Sequence, residues 1–429
     1  MLGRMHAPMP SSFRGTALAF LLVIASNAHA GLLWEDTVSG GRSEGQANSV
    51  VTAAGRVHVA GFISDEESSI ALVRTYDEAT GALLWDSRFA IAQELGDLAL
   101  EDGRLFATAF VSRGHDLGSR EWAVVAYDAA SGAELWQDVR DDGPFGQAWS
   151  LATADGRLFA AGTGSTDASS TAFVVRALDA ATGAQLWADS PGPSGADGSF
   201  AVATGDARVF AAGPVDGHVQ LVAYAQEDGR ELWSAAGAAL PYFGEISGLV
   251  FAGGRVLLAT DLYDGVLVQA WDAASGALLW QHSVGPGGPG KIFAQVALAA
   301  DERVAVIGYW SGGQQLLAWN AATGAPLWRD DDTRATRDLQ IDGGVLWALG
   351  GLPAFQVRAW DAASGRGLWS SALIPGRSSL SLARSGSRAF VAGVAGPGFG
   401  TFAVTALDTS VPAEIRVIAP GARRLTTTR

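Results

Sequence analysis

The sequence contains no cysteine. That absence rules out disulfides, thiolate metal sites and haem attachment through CxxCH, and it argues against a lipid anchor on an N-terminal cysteine. Positive charge is scarce as well. There are 29 Lys and Arg against 44 Asp and Glu, a net charge of −15, and no basic cluster. Nucleic acid and anionic lipid surfaces are therefore not expected partners. After the first thirty residues no apolar run is long enough to cross a bilayer, so no transmembrane segment is expected. Signatures of common chemistry are missing too: no P-loop, no GxSxG and no EF-hand loop. Past the N-terminal segment the histidines are His58, His115, His218 and His282, none at metal-ligand spacing with another. Each is read as an ordinary strand or loop residue. With 48% hydrophobic and 17% charged residues the chain is not disordered. Its wealth of Gly, Ala and Val suggests sheets buried on both faces.

The N-terminus has the form of an export signal. Arg4 and Arg14 precede the short apolar core "TALAFLLVIA", and Ala28 and Ala30 supply small residues at −3 and −1 of a cleavage site before Gly31. Residues 1–30 are thus expected to be a signal peptide, and the protein to reside in a periplasm or outside the cell.

What the sequence has in abundance is one motif. "TYDEATGALLW", "AYDAASGAELW", "ALDAATGAQLW", "AYAQEDGRELW", "AWDAASGALLW", "AWNAATGAPLW" and "AWDAASGRGLW" end at Trp85, Trp136, Trp187, Trp233, Trp280, Trp328 and Trp369. Their spacing is about 40 to 50 residues, the period of a propeller blade. In each, an Asp opens a turn by accepting backbone amides, and a Gly closes it with the positive φ the turn needs. Asn320 replaces the Asp in one copy; in another Ala225 leaves the role to Asp228.

A second signal lies upstream in every repeat: "AAGRVHVAG", "EDGRLFATA", "ADGRLFAAG" and their relatives, a tight turn followed by an apolar strand. The two turns together imply four antiparallel strands per repeat. The expected fold is all-β, an eight-bladed β-propeller of four-stranded antiparallel blades occupying residues 31–410. Trp-Asp pairs at Trp85, Trp271 and Trp360 do not make WD40 repeats, because they occupy different structural positions.

The eighth copy of the Trp motif is degenerate. "ALDTSVPAEIRV" keeps Asp408 but has Pro412 in place of Gly and Arg416 in place of Trp. "GLLWEDTV" at the N-terminus carries Trp34 in phase with the series. The expectation is a ring closed by the N-terminal strand, which leaves no open edge, with residues 411–429 as a C-terminal tail. Closure by the C-terminal strand is the alternative.

The pattern Ala-x-Asp-x-x-Thr/Ser-Gly-x-x-x-Trp resembles the tryptophan-docking motif of the pyrroloquinoline-quinone (PQQ) repeat family. That family holds quinoprotein alcohol dehydrogenases and non-catalytic relatives such as the BamB-type assembly lipoproteins. The resemblance implies that Trp34, Trp85, Trp136, Trp187, Trp233, Trp280, Trp328 and Trp369 dock neighbouring blades. For a dehydrogenase it would also imply PQQ and calcium over the axis, with an acidic base, acidic and amide ligands and an arginine. No local motif here matches those roles, and the pair of adjacent cysteines found in many such enzymes is impossible.

Propellers bind ligands at the axial mouth, so the candidate lining is Glu94, Asp97, Gln147, Trp149, Glu245, Gln295, Arg337 and Asp338. None is expected to be catalytic. The acidic run Asp330, Asp331 and Asp332 is read as solvated surface. The leading expectation is an exported, monomeric, non-catalytic scaffold that binds a protein or a small polar ligand. A PQQ- and calcium-dependent dehydrogenase and a BamB-like assembly factor are the alternatives.

Overall fold

The computed structural model describes residues 31–410, apart from 40–43, 65–68, 90–91, 113–119, 142–145, 168–169, 195–198, 241–244, 263–264, 286–295, 311–313, 332–336, 351–353, 376 and 397–399. Eight antiparallel sheets follow one another along the chain, with no helix among the described residues. In the first, Gly45–Ala53, Arg56–Ser64, Ser69–Asp77 and Leu83–Phe89 lie side by side in chain order. These positions are called A to D, from the axis outwards. The A strands of successive blades adjoin one another, and Arg377–Ser385 of the eighth returns to Gly45–Ala53 of the first. The ring is closed.

The eighth blade is completed from the other end of the chain. Its A, B and C strands are Arg377–Ser385, Arg388–Ala395 and Thr401–Asp408, and its D strand is Leu32–Val38, paired antiparallel with Thr401–Asp408. Closure by the N-terminal strand is thus observed, and the C-terminal alternative is not.

Local sequence explains the two kinds of turn. At six of the eight A–B turns both central residues have positive φ, as at Asp102 (48°) and Gly103 (75°) or Gly343 (56°) and Gly344 (77°). This is the hairpin geometry that Asp-Gly and Gly-Gly favour. At the C–D turns the Asp side chain holds the loop: Asp77 Oδ1 accepts the amides of Ala79 and Thr80 and the Thr80 hydroxyl at 2.7–3.1 Å. These bonds, led by the Thr80 hydroxyl, draw the Asp77 carboxyl below its usual range.

The core is divided into interfaces between blades. Between the first and second, Ala60, Val73, Trp85, Leu95, Leu105, Ala107 and Tyr127 pack together. Small residues on the facing sheets let them approach, so the expected burial on both faces is found. Antiparallel order then puts the A–B and C–D turns at one end of the ring, and the entries to the A strands at the other.

Around the circumference the blades are joined by one repeated joint. Seven of the eight D-strand tryptophans, Trp34 to Trp328, donate the indole N–H to the carbonyl of the residue after the turn-opening position in the next blade. The acceptors are Glu78, Ala129, Ala180, Gln226, Ala273, Ala321 and Ala362, at 2.7–3.2 Å. The same residues turn their own N–H back to the A–B turn of their own blade, as Ala129 does to Gly103. Each indole also lies flat on the turn glycine: a Cβ at Gly81, Gly132, Gly183, Gly229, Gly276, Gly324 or Gly365 would come within 2.5–2.7 Å of it. That glycine is needed twice, for its positive φ and for its bare face.

The residue before the Trp is a β-bulge in all eight blades, from Leu33 to Leu368. The extra residue of a bulge is left out of the pairing, which explains why these leucines repeat yet, Leu232 apart, are exposed.

Candidate axial site

The axis is lined by the free edges of the A strands, whose outer edges alone are paired with a B strand. An unpaired backbone amide facing a narrow channel needs a partner. For five such amides among the described residues that partner comes from the neighbouring blade. Asp97 Oδ2 accepts the Leu151 amide at 2.9 Å and Asp338 Oδ2 the Leu382 amide at 2.7 Å. Ser150 takes Val202, Ser199 takes Ile246 and Ser381 takes Val50, while Asn48 donates to the Leu95 carbonyl.

Asp97 and Asp338 therefore do what serine hydroxyls do at other seams, but with a charge. Asp97 also accepts the Leu98 amide at 2.9 Å, and its own N–H goes to Thr108. Burial outweighs those bonds and pushes its carboxyl up to about 6. Asp338 is pushed up to about 7, by burial first, with the charge of Asp97 adding to the rise.

The other expected lining residues do not join them in one constellation. Trp149 is the bulged residue of the third A strand, between Ala148 and Ser150, and stands 37% exposed. Gln147 begins the same strand opposite Thr163, half-buried. Glu245 begins the fifth A strand opposite Asp261; burial, then the charge of Asp261, raises its carboxyl. Arg337 donates its N–H to the Leu349 carbonyl, and burial lowers its guanidinium. Glu94 lies on the second A strand, and Gln295 lies outside the described residues.

Reading the sequence alone missed Asn48, Ser150, Ser199 and Ser381. A usable signal was there for two of them: Ser150 and Ser381, like Asp97 and Asp338, immediately precede an A-strand leucine.

Two of the histidines, His58 and His282, are structural. His58 is buried, bonded through Nδ1 to the Thr75 hydroxyl at 2.7 Å, and pushed down to about 4 by burial, then by Arg56. His282 donates from Nε2 to the Gly324 carbonyl of the next blade and stacks on Trp319. His218 is exposed at a turn, and His115 lies outside the described residues. In the acidic run, Asp330 accepts the Trp360 indole N–H at 3.1 Å and Asp331 pairs with Arg329. Asp332 lies outside the described residues. Among the described residues no group of three or more His, Cys, Asp or Glu is placed to hold a metal ion.

The PQQ-like repeat profile described as outer membrane protein assembly factor BamB matches residues 20–171, 170–282 and 264–415. No curated protein sequence matches the chain significantly. Several solved structures are similar. BamB from Moraxella catarrhalis is 14% identical with a TM-score of 0.57, over 88% of this chain and 97% of that one. A quinohemoprotein alcohol dehydrogenase from Comamonas testosteroni is 13% identical with a TM-score of 0.58, over 89% and 77%. Sqt1 from Saccharomyces cerevisiae is 12% identical with a TM-score of 0.63, over 90% and 100%. Identities this low speak for a shared fold and carry no activity with them.

Proposed function

The chain belongs to the PQQ-like repeat β-propeller family, and from that premise we propose that it is an exported, non-catalytic scaffold that binds a partner through its faces and loops. One observation carries the reading: the two axial carboxylates are committed to the frame. Asp97 holds the Leu151 and Leu98 amides and Asp338 holds the Leu382 amide. A general base must reach the proton it takes, and these oxygens reach the next blade instead. Similarity to BamB, whose name is that of an assembly factor, supports a protein as the partner.

The dehydrogenase reading draws on the quinohemoprotein neighbour and on Asp97 and Asp338, whose raised carboxyls are of a kind often found in active sites. The donor set does not fit the cofactor. Calcium takes six to eight oxygen ligands, whereas Asp97 and Asp338 are bonded to backbone amides and no group of three or more acids among the described residues is placed to hold an ion. No step through PQQ is derived.

The test is to purify the protein from the exported fraction, add PQQ and Ca²⁺, remove excess, and measure retained quinone and dye-linked alcohol oxidation. The scaffold reading predicts neither retention nor turnover, together with recovery of a specific protein when the propeller is used as bait. Stoichiometric retention with turnover would establish the enzyme instead.

A further inference from the structure

The seam between the fourth and fifth blades departs from its counterparts on both sides. In the eighth, second and sixth blades the second residue after the docking Trp is Asp36, Asp138 or Asp330. In the blade that follows each, the C strand presents Arg74, Arg176 or Arg358 opposite the first residue after its own Trp. Asp36 takes both the Arg74 guanidinium and the Tyr76 hydroxyl at 2.8 Å, and Asp330 takes the Trp360 indole N–H at 3.1 Å. Between the fourth and fifth blades the acid's place is held by Ala235 and the base's by Gln269. Both charges are absent together, and two bonds stay unmade. Gln269 is 4% exposed and Trp271 5%, yet Gln269 Oε1 has no donor and the Trp271 indole N–H no acceptor.

These open groups lie behind a thin outer wall. Gln269 and Trp271 are two residues apart and so share one face of their strand, the face on which Trp271 packs with Leu221 and Ala223 of the fourth blade. In front of them the fourth D strand, Glu231–Ala239, offers only Ala235 and Gly237, both half-buried. A Cβ at Gly237 would lie 3.5 Å from Gln269 Oε1. On the fifth D strand, Leu278–Val284, the exposed Gln281 accepts the Gln269 side-chain amide at 3.2 Å. The same two D strands lack what guards free edges elsewhere. Among the described residues no strand pairs with the outer edge of a D strand, and such edges are protected by charge, proline or shortness. Other D strands carry charges such as Asp86 and Arg88, prolines such as Pro191 and Pro193, or run for only four residues. Past Glu231 the fourth has no Asp, Glu, Lys, Arg or Pro, and the fifth has none at all.

We propose that this seam docks an extended segment of a partner protein, which adds a strand to the free edge of Glu231–Ala239 and inserts a side-chain carboxamide, Asn or Gln, between Ala235 and Gln269. Added strands draw affinity from backbone bonds and selectivity from pockets that take alternate side chains. A carboxamide matches both open groups with separate atoms: its oxygen accepts the Trp271 N–H, and its NH₂ donates to Gln269 Oε1. A carboxylate has no proton to give, an ammonium has no acceptor, and a leucine has neither. The site rests on the scaffold reading for its partner.

Short capped peptides of alternating Val and Thr, with Gln, Asn or Leu at the centre, are titrated into the folded protein by calorimetry. The Trp271 indole N–H is followed by NMR, its signal identified by its loss in Trp271→Phe. The Gln or Asn peptide is expected to bind about tenfold more tightly than the Leu peptide and to move the Trp271 signal to saturation. Ala235→Asp, which fills the slot with a fixed acceptor, is expected to abolish the preference. Equal affinities, a Trp271 signal that does not move, or a preference that survives in Ala235→Asp would each overturn the proposal. The bait experiment separates the two readings. A protein recovered by the parent and equally by Ala235→Asp removes this site and leaves the scaffold, whereas its loss from the variant supports the site. If neither recovers a protein the scaffold reading falls, and the peptides still decide the site.

Discussion

The outer and inner seams of this ring solve the same problem by different means. At the circumference one joint is repeated: indole on glycine, indole N–H on carbonyl, seven times with hardly a change. Along the axis the seams vary, with serines at three, an asparagine at another and a buried aspartate at two more. The outer joint depends on a large flat ring and a bare turn, so selection for docking leaves a fixed pattern. The inner tie needs only one acceptor for one amide, a requirement several side chains meet. Repetition therefore marks the frame, and variation marks the channel, where a ligand-specific role has room to evolve.

The largest effect should come from breaking an outer joint. Trp280→Ala removes a buried indole bonded to Ala321 and is expected to cost about 3–5 kcal/mol in urea unfolding. Trp369→Ala removes a half-buried indole packed against Trp347 and is expected to cost less, about 2 kcal/mol. Equal losses would show that the eighth joint is as well formed as the others.

Next comes the glycine itself. Gly276 and Gly55 share a φ near +70°, but a Cβ at Gly276 would strike Trp233 at 2.6 Å while one at Gly55 meets nothing within 4 Å. Gly55→Ala should cost about 1 kcal/mol for backbone strain alone, and Gly276→Ala about 2–4 kcal/mol with overpacking added. Similar costs would remove docking from the reasons for glycine.

A smaller effect would repair a gap. Two residues after the docking Trp, Asp36 accepts the Tyr76 hydroxyl, Asp189 the Tyr224 hydroxyl and Asp330 the Trp360 indole of the next blade. The fourth D strand has Ala235 at that place, and the Trp271 indole N–H it should meet is buried without an acceptor. Ala235→Asp is expected to raise stability by about 1 kcal/mol, seen as a higher urea midpoint with an unchanged slope.

These contrasts also explain what was legible beforehand. The Asp–Gly–Trp motif announces itself because turn, glycine and indole must coincide, so the blades and their number could be read directly, while the docking role of the tryptophans was what the family resemblance implied. Phase alone placed Trp34 in the eighth blade. The axial residues were named from position in the repeat, which found Asp97, Trp149 and Asp338 but not that two of them are tied across seams. A side chain that bonds the backbone of another blade leaves little pattern in its own neighbours: Asn48 and Ser199 were missed for that reason, and for Ser150 and Ser381 the one trace was the leucine that follows.

The central claim is that the axial carboxylates belong to the frame, and the most direct test is the pH dependence of stability in the Asp97→Asn/Asp338→Asn variant. In the folded protein both carboxyls lie above their ordinary value of 3.8, at about 6 and about 7. The folded state therefore keeps protons that the unfolded chain releases, and stability should fall as pH rises from about 4 through 7. Asparagine keeps an acceptor for the Leu151 and Leu382 amides and carries no charge. The account predicts that the variant folds, that this decline between pH 4 and 8 largely disappears, and that its Tm at pH 8 equals or exceeds that of the parent. A variant with the parent's decline intact, or with a lower Tm at every pH, would contradict it.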